Sequence, residues 1–406
     1  MKKFFGLIVV LSLFLMVGCN SSESGYELFP ETIEMMLERP EMLMESNAIP
    51  GMTIAFVDIS SGFTWTHGFG YANIEQGIPV TEDTLFGIAS ISKIFTAIAV
   101  MQLVEQGLID LDEPIVTYLP EFSMLPHPRR GGNYQNITTR MLLNHTSGIP
   151  MHYWGITAPD LPHLEIPILL SANDLIPFIT NPEASIAAVS LNSQQPEFMN
   201  NFLINISELT MDFEEGTTFE YSNIGYTILG ILVATISGGN DFFEGFNNYM
   251  NNHIIGPAAM NHSTFVMKEQ FSPLMAMPYR DASMQVEETL LINDLASGAM
   301  LSTAADMARF MHIILEDGSV LLNQETLRKM MAISEPNAFG LGFYHPVNWN
   351  GIGHEGFWQH HSTMLLNPTY GIGVFISVNS ESGRAVPTVL ASRILESAIE
   401  ERRANE

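Results

Sequence analysis

The sequence predicts an α/β (α+β) protein, with an antiparallel sheet flanked by helices and an inserted, mostly helical domain. Three observations predict it. Strand-like segments stand at both ends of the chain, at 51–73 and again beyond residue 340. The residues between, from about 111 to 289, are richer in Pro and Asn and show helix-like patterns broken by long loops. Finally, "FGIASISKIFTAIAVMQLVEQ", from Phe86 to Gln106, is apolar at most positions after Lys93 and has no Gly or Pro between Gly87 and Gly107. A helix apolar on nearly all sides belongs inside a large domain.

Taken in order, the chain opens on a processing segment. Met1-Lys2-Lys3 is a short basic start, Phe4 to Val17 is an apolar run too short to span a bilayer comfortably, and Cys19 follows Met16-Val17-Gly18. This reads as an export signal over residues 1–18. The position of Cys19, the only cysteine, resembles a bacterial lipobox, in which the cysteine is lipidated and becomes the new N-terminus. That resemblance implies an exported protein of the bacterial cell envelope, anchored to the membrane through lipid at Cys19; a plain signal peptide with an incidental cysteine is the other reading. With one cysteine no intrachain disulfide forms, even in an oxidising compartment. Residues 19–48 supply a polar tether, "NSSESG", and an amphipathic stretch from about Thr32 to Asn47.

The main domain is expected over 49–400, with its α/β part at about 49–110 and 290–400. "GMTIAFVDI" (Gly51–Ile59) reads as a buried strand, and "FTWTHGFGYAN" (Phe63–Asn73) as its hairpin partner across Ser61-Gly62. Long loops are expected at Pro126–Asn136 and Ile156–Pro196. "STAADMARFMHIILEDG" is a helix with Ser302 or Thr303 near its N-cap, Asp306 in its first turn and Gly318 closing it. "GLGFYHPV", "GIGHEGFWQHHSTMLLNP" and "YGIGVFISVN" alternate like neighbouring antiparallel strands, and a helix begins at about Pro387.

Composition narrows the partners. The 406 residues are 46% hydrophobic and carry a formal charge of −28, so the surface repels phosphates and no nucleic-acid partner is expected. No zinc-ligand cluster, other metal site or cofactor motif is evident. The 25 methionines suggest adaptable packing.

The chemistry is expected at Ser90-Ile91-Ser92-Lys93. A lysine ammonium inside an apolar helix is expensive unless it loses its proton or finds partners. Ser90, three residues earlier, lies on the same helix face. The spacing occurs once, since Phe265 precedes Lys268 and Thr326 precedes Lys329 at the same offset. A serine hydroxyl needs a base to become a nucleophile, and a desolvated neutral lysine one turn away supplies it. Backbone N–H groups at a helix start would face the developing oxyanion. On these four residues alone, a capping serine beside a snorkelling lysine fits equally well.

Two further elements decide between them. "FEYSNIGYTILG" contains Tyr221-Ser222-Asn223, and "GIGHEGFW" contains His354-Glu355-Gly356. In this order the chain resembles the serine β-lactamase and penicillin-binding-protein superfamily, in its class C-like branch, which uses S-x-x-K, Y-x-N and then K-T-G or H-x-G. "DTLFGIASISKIFTA", "LNHTSGIP", "SNIGYTILG", "SGAMLSTAADMARF" and "GLGF" extend the resemblance over roughly Ile49 to Asn379. It implies a β-lactamase/transpeptidase-like fold.

By that resemblance Ser90 is the acylated nucleophile and Lys93 the base that activates it. Tyr221 is the proton relay, its hydroxyl made more acidic by the charge of Lys93; a satisfied core tyrosine is the alternative. Asn223 contacts the substrate's acyl amide and orients Lys93. His354 and Gly356 belong to the strand lining the site, and the N–H groups of Ser90 and Phe357 form the oxyanion hole. The sequence departs from the lactamase pattern at His354-Glu355: a mostly neutral histidine and a glutamate replace a lysine and a threonine. On an alternating strand Glu355 faces away from His354.

Other stretches have plainer readings. "HPRRGG" is a solvated turn and His145 of "HTSGIP" a hydrogen-bonded scaffold histidine. "WQHH" with Met364 either walls the cleft or packs in the core.

The expected function is an exported serine hydrolase forming an acyl-enzyme on Ser90, acting on a small-molecule or peptide substrate: esters, small amides or D-amino-acid peptides. A penicillin-recognising class C-like β-lactamase or DD-peptidase is the alternative, and a catalytically silent binder of cell-wall peptides the rival outside the enzymes. If carboxylates are recognised, Arg129, Arg130 and Arg280 are the first places to look.

Overall fold

Period-two burial builds the sheet. Along β1 (Gly51–Asp58) every residue is buried, with Met52, Ile54 and Phe56 in one apolar cluster and Ala55 and Val57 in the other. A strand covered on both faces reads as the continuous apolar run seen in the sequence. The computed structural model describes residues 22–151, 203, 206–207, 209–239, 241–285, 295–334, 338–345 and 351–405. The processing segment, Cys19 and the loop expected at 156–196 lie outside them.

β1 turns through Gly62, whose φ of +71° favours glycine, into β2 (Phe63–Asn73), and β3 (Ile78–Pro79) adds the edge. β4 (Phe86–Gly87) pairs with β7 (Leu301–Ser302), and β5 (Tyr279–Asp281) with β6 (Met284–Gln285). β8 (Ile352–Phe357), β9 (His361–Asn367) and β10 (Ile372–Val378) complete a six-stranded sheet in the order β3-β2-β1-β10-β9-β8. The first long strand and the last are therefore neighbours, with Met52 opposite Val378 and Asp58 opposite Ile372.

Helices cover both faces. On one side lie α1 (Ser22–Leu28) and α2 (Pro30–Asn47), together with the C-terminal helix Val386–Asn405. Their apolar residues Phe29, Ile33, Met36, Leu390, Ile394 and Leu395 join the cluster of Met52 and Phe56. The two ends are also tied by polar contacts. The Glu401 carboxylate accepts from the Glu31 and Thr32 N–H groups at 2.8 and 3.1 Å, capping α2 from another helix, and Arg402 pairs with the buried Asp58.

On the other side α3 (Ser92–Glu105) is buried without a break from Ser92 to Met101. Around it pack α4 (Thr139–Leu143), α5 (Asn223–Ile236), α6 (Phe242–Met250), α7 (Leu295–Gly298), α8 (Ala304–Glu316) and α9 (Gln324–Met331). α8 begins at Thr303, whose hydroxyl accepts from the Asp306 N–H at 3.1 Å, and ends at Gly318, with φ +72°.

Of the strand expected over "GLGFYHPV", Tyr344 pairs antiparallel with Gly353 of β8, its N–H donating to the Gly353 carbonyl at 2.8 Å. Residues 340–343 before it form a tight turn instead, in which the Gly340 N–H donates to the Phe343 carbonyl at 2.8 Å. A Cβ at Gly342, whose φ is +97°, would stand 2.6 Å from the Ala97 Cβ, so this glycine serves close approach to α3. "GIGHEGFWQHHSTMLLNP" is two strands joined at Trp358–His360.

Candidate active site

The apolar segment does not become one helix. Ser90 lies in a 3-10 turn, Ala89–Ile91, and α3 starts at Ser92. Ala89 takes φ +44°, a left-handed conformation uncommon for a residue with a side chain and a mark of stored backbone strain.

Lys93 is fully buried. Its Nζ donates to Asn223 Oδ1 and to the Ser297 carbonyl, both at 2.6 Å, and lies 3.1 Å from Ser90 Oγ. The ammonium site is also 4.9 Å from the centre of the Tyr221 ring and 5.5 Å from that of Tyr226. Local capping brings Asn223 here: it opens α5 directly after Ser222, whose hydroxyl accepts from the Gly225 N–H at 2.9 Å. Tyr221 immediately precedes that cap. Ser90, Lys93, Tyr221 and Asn223 are thus one cluster drawn from two segments far apart in sequence.

β8 closes the other side. A Cβ at Gly356 would lie 2.2 Å from the Ile88 carbonyl oxygen and 3.1 Å from the Ala89 Cβ, so only glycine lets this strand meet the Ser90 turn. Phe357 follows at the strand end with its side chain 42% exposed. His354 is buried, and its Nδ1 donates to the Glu355 carbonyl at 2.6 Å. Burial first, and then the charge of Lys93, lower its pKa to about 3, so the imidazole is neutral in ordinary buffers. Glu355 points away and accepts a hydrogen bond from Thr388 on the C-terminal helix.

Several supports escaped the sequence. The Ser297 carbonyl is a backbone group that no side-chain motif announces. His360 packs inside, its ring 5.4 Å from that of the buried Phe86, and it also bonds: its Nδ1 accepts the Gly87 N–H at 2.8 Å while Ser362 Oγ donates to the Gly87 carbonyl at 3.1 Å. The β8–β9 hairpin therefore grips the chain three residues before Ser90. "HPRRGG" is a turn held by His127 and Gly131, with Arg130 donating to the Asp212 carbonyl at 3.0 Å, and Arg280 pairs with Glu381. A cation not anticipated, Arg384, stacks on the Phe357 ring at 5.1 Å. Among the described residues no group of three His, Cys, Asp or Glu side chains is placed to hold a metal ion.

Antiparallel sheet, flanking helices and a serine–lysine–tyrosine cluster at the start of a buried helix are the fold and site geometry of the β-lactamase type. The β-lactamase family profile matches residues 41–398, and the chain belongs to that family. Protein Flp of Staphylococcus aureus (strain MW2) is 26% identical over 353 residues, covering 83% of this chain and 61% of Flp. The chain thus spans about three fifths of the length of the curated relatives it matches. Among solved structures, an octameric penicillin-binding protein homologue from Pyrococcus abyssi superposes with a TM-score of 0.68 at 25% identity, over 91% of this chain and 77% of the other. A class C β-lactamase in complex with cefoxitin gives 0.69 at 17% identity, over 91% and 99%.

The close approach at Gly356 makes a prediction. Gly356→Ala is expected to push β8 off the Ser90 turn and lower kcat/KM for a chromogenic ester by about 100-fold, the cost of a displacement near 1 Å. Wild-type kcat/KM in the folded variant would remove the strand's role in the site.

Proposed function

We propose that the chain hydrolyses esters, small amides or D-amino-acid peptides through an acyl-enzyme on Ser90, preferring neutral acyl donors to carboxylate-bearing β-lactams. The observation that carries the reading is the environment of Lys93 Nζ. Asn223 Oδ1 and the Ser297 carbonyl only accept, so each draws an N–H group of Lys93, and once the ammonium gives up its remaining proton the lone pair faces the Ser90 hydroxyl.

The Ser90 proton passes to Lys93 as Oγ bonds to the acyl carbon. The oxyanion is held by the N–H groups of Ser90 and Phe357. When the carbon–leaving group bond breaks, the departing oxygen or nitrogen takes a proton relayed through Tyr221. Water then attacks the acyl-enzyme, giving its proton back through the same groups and freeing the acid and Ser90. Asn223 serves twice, orienting Lys93 and offering its amide to the acyl side chain.

Substrate charge is set by the strand. A neutral His354 and a Glu355 turned toward Thr388 supply no positive charge to a carboxylate. One charged contact missing from a partly desolvated site costs about 1.5–3 kcal/mol, roughly ten- to a hundredfold in rate. A neutral chromogenic ester is therefore expected to exceed a chromogenic cephalosporin in kcat/KM, and His354→Lys with Glu355→Thr should shift the ratio toward the cephalosporin. Faster cephalosporin hydrolysis by the wild type would overturn this preference. The second reading, a penicillin-recognising β-lactamase or DD-peptidase that grips its substrate's carboxylate, would then rest on Arg384, the cation stacked on Phe357.

Anchoring is part of the same proposal: export of the chain and lipidation at Cys19 place the enzyme at the envelope membrane. Cys19→Ala should move the protein from the membrane fraction to the soluble one. Wild-type protein recovered soluble, with a mature N-terminus other than Cys19, would rule the anchor out.

A further inference from the structure

His145 touches the Tyr221 segment at three points. It follows α4 in a left-handed conformation, φ +61°, and is 1% exposed. Its carbonyl accepts the Glu220 N–H at 2.8 Å, and its Nδ1 accepts the Ser222 N–H at 3.0 Å. The residues on either side of Tyr221 are thus tied to a single residue. Between these two bonds the imidazole lies against the Tyr221 ring, with centroids 4.4 Å apart and planes at 32°. Phe219, Tyr226 and Phe339 pack around the same imidazole at 5.9, 5.1 and 5.1 Å, which leaves it little freedom to turn.

We propose that His145 is a positioning residue that fixes the backbone and ring of Tyr221, and so the place of its hydroxyl in the proton path. This rests on the role given to Tyr221 above. Histidine unites two properties here. A neutral imidazole accepts at Nδ1 while presenting a flat face to the phenol; leucine offers neither, and asparagine offers only the acceptor. Burial, and after it the charge of Lys93, holds the His145 pKa well below its ordinary value, so the acceptor persists at working pH.

A double-mutant cycle tests the proposal. His145→Ala is expected to lower kcat for a chromogenic ester by about 10- to 100-fold with little change in KM, the cost of misplacing a reacting group. Tyr221→Phe removes the hydroxyl that His145 positions. Adding His145→Ala to Tyr221→Phe should therefore cost less than about threefold more, a strong departure from additivity. His145→Asn keeps the acceptor and tolerates the left-handed backbone; it is expected to recover part of the lost kcat, and it carries the cycle if the alanine variant does not fold. Additive losses would overturn the proposal and leave Tyr221 in its role, since His145 would then act on the fold as a whole. Wild-type kcat in Tyr221→Phe alone would remove the role of Tyr221, and the proposal with it.

Discussion

Ser90→Ala is expected to abolish covalent labelling by a fluorophosphonate and to lower kcat by about a millionfold, the scale found when the nucleophile of a serine hydrolase is removed. The reason lies in what surrounds the hydroxyl. Ser90 Oγ is 3.1 Å from a lysine nitrogen with no exposed surface, on a turn whose preceding residue has φ +44°. Strain at a nucleophile turn aims the side chain, and replacing the hydroxyl leaves that turn and its contacts intact. The check is intact-mass labelling followed by peptide mapping. An adduct on another serine, with Ser90→Ala still active, would sink the assignment.

Lys93→Arg separates charge from basicity. An arginine keeps the positive charge but does not give up its proton in a protein, so it cannot take one from Ser90. If Lys93 acts as the base, kcat/KM should fall by about 10²–10⁴, the usual contribution of a positioned base. Lys93→Met, similar in length and neutral, should fall as far, which excludes bulk as the cause. More than a tenth of wild-type activity in the arginine variant would show that charge alone suffices. Circular dichroism on both variants establishes that the buried site still folds.

These residues were readable in the sequence because each is written in a short local pattern. A lysine three after a serine in an apolar run conflicts with burial, and the conflict itself points to chemistry. The strands at 51–58 and 63–73 followed from apolar runs flanking Ser61-Gly62. What was not readable depends on chain segments meeting in space. The Ser297 carbonyl carries no side-chain signature, and His360 looks like any strand histidine until it meets Gly87. "GLGFYHPV" was half legible: Tyr344 does pair with Gly353 of β8, but the turn of Gly342 against Ala97 is set by the neighbouring helix.

The pairing of β1 with β10 governs how the protein is made. Met52 and Val378 are partners, so a growing chain holds its first long strand with β2 on one edge and the other edge open until more than three hundred further residues have been synthesised. Contacts this distant in sequence carry a large loop-closure cost and make folding slow. Until then β1, apolar on both faces, is an open template for mispairing. Truncation before residue 372 therefore does more than shorten the molecule: it leaves the sheet without its central strand β10.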